Sequence, residues 1–325
     1  MSAPHLLIGD IGGTHARFAW ADPTDNEFGA EKKLLCADFD TIDAAIEHFL
    51  ASSDVKAPDT ICLAVAGPIV GDEVRFTNND WIISSSALAA DFGIDAVRIL
   101  NDFEAIGYSI PMLGADDSMP IGLAEATDLG REEHRVAVLG PGTGLGMVGV
   151  NIRDGEAIPI RSEGGHVGFS PETQVQLEIM SVLREQFDRV SAERLVSGPG
   201  LENIYRALTT IHGDQRPALS APEIFSRANS NTESRSAEAV HVFFEVLGQV
   251  AGDFALSISA DDGVYVAGGI AQRYPVMMSN SAFRSGFENK GRYRSLMERI
   301  PTQLILHEHP GLLGASHCAR QLLAA

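Results

Sequence analysis

Residues 6–21 read LLIGDIGGTHARFAWA. A short apolar run, Leu6–Ile8, meets an acidic residue and a glycine pair, and a second apolar run, Ala16–Ala21, follows. This is the pattern of two strands joined by a tight glycine turn. Glycines let the backbone come close to an anion, and their N–H groups offer donors without net charge. Gly12, Gly13 and Thr14 therefore suit a phosphate-binding turn as well as a plain hairpin. Asp10 stands at the strand end, where a carboxylate can hold Mg²⁺ directly or through water. Arg17 lies close enough to address a phosphate.

The same unit recurs at Gly140, where LGPGTGLGMVGVNI (139–152) again runs from strand through glycines to strand. Residues 144–149 match the dinucleotide pattern G-x-G-x-x-G. That pattern needs its glycines to open a helix. Here they lead into an apolar, β-branched segment, so a Rossmann site is rejected. Gly142, Thr143 and Gly144 make a second candidate phosphate turn. Two α/β halves, each with such a turn, suggest a ligand clasped between them.

Between and after these turns the spacing predicts further elements. A third strand is expected at Lys33–Ala37, helices at Thr41–Leu50, Ser84–Phe92 and Phe103–Ile110, and strands at Thr60–Val65 and Val97–Leu100. The second half should hold strands at Ala157–Ile160, Gly263–Ala267 and Leu304–Leu306. Its helices are expected at Glu172–Phe187, Gly200–Leu208, Pro222–Arg227, Ser236–Ser259 and Gly311–Leu323. Ser236–Ser259 is apolar on most faces and should be buried. The polar stretch Asn229–Ser236 reads as a loop.

Charge and cysteines restrict the function. In 325 residues, Lys and Arg number 24 and Asp and Glu 44, a net charge of −20. A polyphosphate backbone needs a basic face, so nucleic acid is excluded as the main partner. An anionic membrane surface is disfavoured for the same reason. The N-terminal apolar run is short, lacks a basic flank and ends at Asp10, so no signal peptide is expected. The three cysteines, Cys36, Cys62 and Cys318, lie far apart without metal-ligand spacing. Reduced thiols in a cytosolic protein are the expectation.

Three more segments carry candidate chemistry. Asn101-Asp102 stands where a strand gives way to a helix, and strand C-termini are where open α/β folds place ligands. Asp102 could be a general base for a hydroxyl, or the cap of the helix. Glu163-Gly164-Gly165-His166 puts a carboxylate and an imidazole on one glycine turn. Together they suit a polyol, whose hydroxyls need both donors and acceptors; the alternative is a glycine turn with a solvated Glu. Gly268 and Gly269 follow a strand and offer flat backbone for an adenine or ribose, or simply a strand–helix turn. Glu193 on its own reads as an exposed helix acid.

Taken in order, GDIGGTHAR (9–17), LNDFEA (100–105), GPGTGLG (140–146), EGGHVGF (163–169), SAERLVSGPGL (191–201), VAGGI (266–270) and HPGLLG (309–314) resemble the bacterial ATP-dependent glucokinases. The resemblance runs from about residue 6 to the C-terminus. It implies an α/β, two-domain, actin-like (hexokinase/Hsp70) ATPase fold with a cleft between a small and a large domain. Residues 1–111 with 304–325 would form the small domain, and 112–303 the large one. It implies phosphorylation of D-glucose at the 6-position, the first step of glycolysis, by a cytoplasmic homodimer using ATP and Mg²⁺.

By the same resemblance Asp102 takes the proton of the glucose 6-hydroxyl. Asn101, Glu163, His166 and Glu193 are the other sugar-binding residues. Gly12–Thr14 and Gly142–Gly144 are phosphate loops, Gly268 and Gly269 the adenosine motif, and Asp10 the Mg²⁺-associated acid. His15 and Gly168 depart from residues common in the family, at positions outside the sugar set. The C-x-C-G-x-x-G-C zinc cluster of repressor–ORF–kinase sugar kinases is absent. A nucleotide-switched binding protein and a kinase for another hexose remain the alternatives.

Overall fold

Alternate residues of Leu6–Ile11 enter two different cores. Leu7 and Ile11 pack with Ile42, Ile46, Phe49 and Leu88. Leu6 and Ile8 pack with Ala105, Leu312, Ala315 and Ala319. The side-chain period of two along a strand thus builds a helical layer on each face of one sheet. This comes from a computed structural model, which describes all residues except 1, 2, 26, 54, 56, 77, 78, 131, 132, 231 and 325. The chain divides into two units: Met1–Gly114 with Ile152–Pro159 and His307–Ala325, and Ala115–Asn151 with Ile160–Leu306.

The first unit holds a five-stranded sheet. Its spatial order is Phe28–Leu35, His15–Ala21, Leu6–Ile11, Thr60–Val65, Ala96–Asn101. The first three strands run antiparallel to their neighbours and the last two join in parallel. Asp10 pairs with Arg17 across the hairpin and lies beside Ala64, which in turn lies beside Leu100. The third strand occupies Phe28–Leu35, earlier than the expected Lys33–Ala37, and a 3₁₀ turn takes Cys36–Asp38. Helix Ser85–Phe92 ends at Gly93 in the left-handed conformation, φ 66°, which costs glycine no Cβ clash.

Two helices close the second face, Asp102–Ser109 and Pro310–Ala324. They cross at Gly314, where a Cβ would stand 1.7 Å from the carbonyl oxygen of Ala105. Between them, His317 is buried, its Nε2 3.7 Å from the Glu156 carboxylate. Burial pushes the His317 imidazole down to about 4, against the pull of Glu156. Its folded pKa is below its unfolded one, so its stabilising contribution is complete above about pH 6.5 and is lost as pH falls through about 4. The loss is on the order of 3 kcal/mol. Half-buried Asp10 and Asp102 titrate in the opposite sense, so wild type alone mixes the two. His317→Gln should show a smaller fall in unfolding free energy between pH 7 and pH 4 than wild type. Equal falls by denaturant titration would remove His317 from the account.

The second unit is built on the sheet Glu156–Ser162, Leu145–Arg153, His134–Pro141, Gly263–Val266, Thr302–Ile305, Ser118–Pro120, in that spatial order. The turn segment 152–159 of its first hairpin falls to the other unit. Helix Ser234–Ile258 is the one described helix long and apolar enough to cross a membrane, and it is mostly buried in the core with Phe225, Phe283 and Phe287. It begins inside the stretch expected to be a loop; residue 231 of that stretch lies outside the described residues.

Candidate active site

In the first unit the turn after Leu6–Ile11 is held by its carbonyls. The Gly12 carbonyl accepts the Cys36 thiol at 3.4 Å and the Gly13 carbonyl accepts Asn79 Nδ2 at 3.2 Å. The Thr14 carbonyl accepts the Cys36 amide at 3.0 Å. The Gly12 amide closes the turn on the His15 carbonyl at 2.9 Å. Among the described residues, the Gly13 and Thr14 amides have no such partner. Unspent N–H groups side by side are what an anion needs. Arg17 does not reach a free position here: its Nε pairs with Glu31 at 3.2 Å and its guanidinium meets the His309 ring at 2.6 Å.

Asn101 and Asp102 divide their duties. Asn101 caps the helix, accepting the Phe103 amide at 3.0 Å, while Glu104 reaches back to the Asn101 amide at 3.4 Å. Such a capping box spares two unmatched donors. Asn101 Nδ2 also donates to the Gly67 carbonyl at 3.2 Å. Asp102 is thus the first helical residue, not the cap. Its Oδ1 accepts the Phe103 amide at 2.9 Å. Burial raises the Asp102 carboxyl above the usual range, with the nearby Asp10 charge adding to the rise. A carboxylate lifted this way is a better proton acceptor.

Asp10 is also raised by burial, against the charges of Arg17 and His309. The Cβ position of Gly311 lies 3.6 Å from its carboxyl carbon, so a bare glycine lines this acid. No group of three or more His, Cys, Asp or Glu converges among the described residues. One half-buried carboxylate would fit Mg²⁺ that took its remaining oxygens from a nucleotide and water.

The second unit repeats the loop and joins it to a polar cluster. The Gly142 amide closes on the Gly144 carbonyl at 2.8 Å, and the Gly142 carbonyl accepts the Gly198 amide at 2.9 Å. The Thr143 and Gly144 amides have no partner among the described residues. Glu193 Oε2 accepts the Leu145 amide at 3.0 Å, and a Cβ on Gly144 would come within 2.5 Å of that same oxygen. Glu193 Oε1 lies 3.9 Å from His166 Nδ1, and His166 Nε2 lies 4.0 Å from Glu163. The Glu163 and His166 side chains are 79% and 62% exposed. Such pairs add little stability, but the row carboxylate, imidazole, carboxylate is an array of acceptors and donors for hydroxyls. Glu193 is therefore no solvated helix acid.

Gly140 and Gly268 need each other's lack of a side chain. A Cβ on Gly140 would stand 2.4 Å from the Ala267 carbonyl oxygen, and one on Gly268 would stand 2.6 Å from that of Pro141. Gly268 also has φ +89°, where other residues are strained. The glycine loop and the AGG turn thus abut backbone to backbone.

The family described as Glucokinase matches residues 7–322. The chain belongs to the glucokinase family. It is 39% identical to the glucokinase of Xylella fastidiosa (strain 9a5c) over 328 aligned residues, covering 98% of this chain and 97% of that one. It is also 39% identical to that of Xanthomonas oryzae pv. oryzae (strain MAFF 311018), covering 97% and 96%. Among solved structures, a glucokinase from an Antarctic psychrotroph aligns with TM-score 0.90 at 30% identity over 98% of this chain and all of that one. The fold is accordingly the actin-like two-domain ATPase fold of the glucokinase family and its sugar-kinase neighbours.

Within this glucokinase family member the first unit gathers Asp10, Gly12, Gly13, Thr14, Asn101 and Asp102. The second gathers Gly142, Thr143, Gly144, Glu163, His166 and Glu193, with Gly268 and Gly269 on the turn beside Pro141. Sequence reading missed Cys36 and Asn79, which hold the first loop. Neither sits in a recognisable motif, and only their place in the fold reveals them.

Proposed function

We propose that this chain transfers the terminal phosphoryl group of ATP to the 6-hydroxyl of D-glucose. The observation that carries the reading is Asp102: a half-buried carboxylate of raised pKa at the C-terminal end of a parallel strand, just after the Asn101 that caps the helix. It takes the 6-hydroxyl proton as that oxygen attacks phosphorus. Asn101, Glu163, His166 and Glu193 bind the sugar's other hydroxyls. The loops Gly12–Thr14 and Gly142–Gly144 face the phosphates through the amides of Gly13, Thr14, Thr143 and Gly144, and Gly268 and Gly269 face the adenosine. Asp10 holds Mg²⁺, which when bound offsets phosphate charge. We take the enzyme to act as a cytoplasmic homodimer at the entry to glycolysis.

The test is a panel of glucose, mannose and fructose with ATP and Mg²⁺, measuring ADP and sugar 6-phosphate together. Glucose 6-phosphate formed in step with ADP is expected. ADP release indifferent to sugar would instead favour a nucleotide-switched binding protein.

A further inference from the structure

Three successive carbonyls of the first loop are tied by Cys36 and Asn79, residues in no nucleotide motif. We propose that Asn79, assisted by Cys36, is a positioning residue that sets the Gly13 and Thr14 amides toward the phosphates. The proposal rests on the reading of Gly12–Thr14 as a phosphate loop.

A peptide unit is rigid, so turning a carbonyl one way turns the following amide the other. The Gly13 carbonyl belongs to the peptide unit whose N–H is that of Thr14, and the Gly12 carbonyl to the unit whose N–H is that of Gly13. Asn79 Nδ2 fixes the first at 3.2 Å and the Cys36 thiol fixes the second at 3.4 Å. Asn79 is itself anchored. Its Oδ1 accepts the Trp81 amide at 2.9 Å, and Trp81 Nε1 donates to the Phe39 carbonyl at 3.0 Å. Trp81 is buried in the core with Cys36. The hydrogen bonds therefore run from packed side chains to a loop of two glycines, which has little conformational preference of its own. A neutral device of this kind suits a protein of net charge −20, because it aims N–H dipoles without adding a cation.

Asn79→Asp is the informative variant. It keeps the oxygen that accepts the Trp81 amide and replaces the donor with a carboxylate oxygen facing the Gly13 carbonyl. The expected result is a KM for ATP raised roughly tenfold, with the KM for glucose within about twofold of wild type. Asn79→Ala should raise the ATP value roughly 3- to 10-fold, the range of one lost hydrogen bond. Cys36→Ser, which retains a donor, should stay nearer to wild type than Cys36→Ala. Equal changes in both KM values, or a lower kcat with unchanged KM values, mark a structural role and overturn the proposal. Gly13→Val separates this from the underlying reading. If it leaves the ATP KM unchanged, the loop does not hold phosphate and both fall. If it raises that KM while Asn79→Asp does not, the loop stands and Asn79's role is refuted. Should Asn79→Asp fail to fold, the Asn79→Ala and Cys36 pairs decide on the same readout.

Discussion

Asp102→Asn is expected to slow glucose phosphorylation by roughly 10²–10⁴-fold, the range for a lost general base, and at the same time to stabilise the fold at neutral pH. The two effects share one cause. Burial raises the Asp102 carboxyl, so the folded state prefers the protonated acid more than the unfolded chain does. The sign follows from linkage. This preference stabilises the fold below the unfolded pKa of about 3.9 and is lost as pH rises through the raised folded value. At pH 7 wild type carries the full cost of a desolvated charge, and asparagine carries none. Asn can still accept the Phe103 amide, so the helix start is kept. A coupled assay with ATP and glucose measures the first effect, and thermal unfolding at pH 7 and near pH 4 the second. The stability gain should shrink at the lower pH. A near-wild-type rate would remove Asp102 from the base role.

Much of this site was legible in the sequence, but by different routes. The apolar runs Leu6–Ile8 and Thr60–Val65 announced strands, as segments buried on both faces of a sheet do. The rejection of a dinucleotide helix at 144–149 holds, because Leu145–Arg153 is a strand. Glu193 was different. Its side chain looks ordinary until the fold carries it to the Leu145 amide, and only the resemblance singled it out. Short pieces were missed where period fails: helix Phe283–Glu288 is too brief to show a face, and strand Ser118–Pro120 ends in the proline that an edge position tolerates. Close approaches left no trace at all. Gly314 reads as one more small residue in an apolar helix.

That glycine carries the second large effect. Gly314→Ala should cost about 3 kcal/mol or more, at the upper end of overpacking. An added Cβ would sit 1.7 Å from the Ala105 carbonyl oxygen and 3.0 Å from the Ser109 amide. Both are backbone atoms of the Asp102–Ser109 helix, so no side-chain rotation relieves the clash and the helices must part. Asp102 heads that helix, so activity should fall with stability. Gly311→Ala is the control. The atoms nearest its Cβ would be those of the Asp10 carboxyl, at 3.6–3.8 Å, which is ordinary contact. It should fold normally, with any loss confined to activity. Denaturant unfolding of the two variants beside wild type tests the contrast. A Gly314→Ala midpoint equal to that of wild type would mean the helices cross more loosely than described.

The helix Pro310–Ala324 also bears on the order in which the molecule can be made. It supplies Leu312, Ala315, Cys318 and Ala319 to a core whose other members, among them Leu6, Ile8 and Cys62, precede it by more than two hundred residues. Chains emerge from the ribosome N-terminus first, and domains fold as units. The first unit therefore leaves the ribosome with one face of its sheet covered by the Asp102–Ser109 helix alone, and stays so while the second unit is synthesised. During that interval Leu6, Ile8 and Cys62 lack half of their cover. The segment 310–324 seals the layer beneath Asp10 and Asp102, so catalytic competence must wait until the chain has been made at least that far.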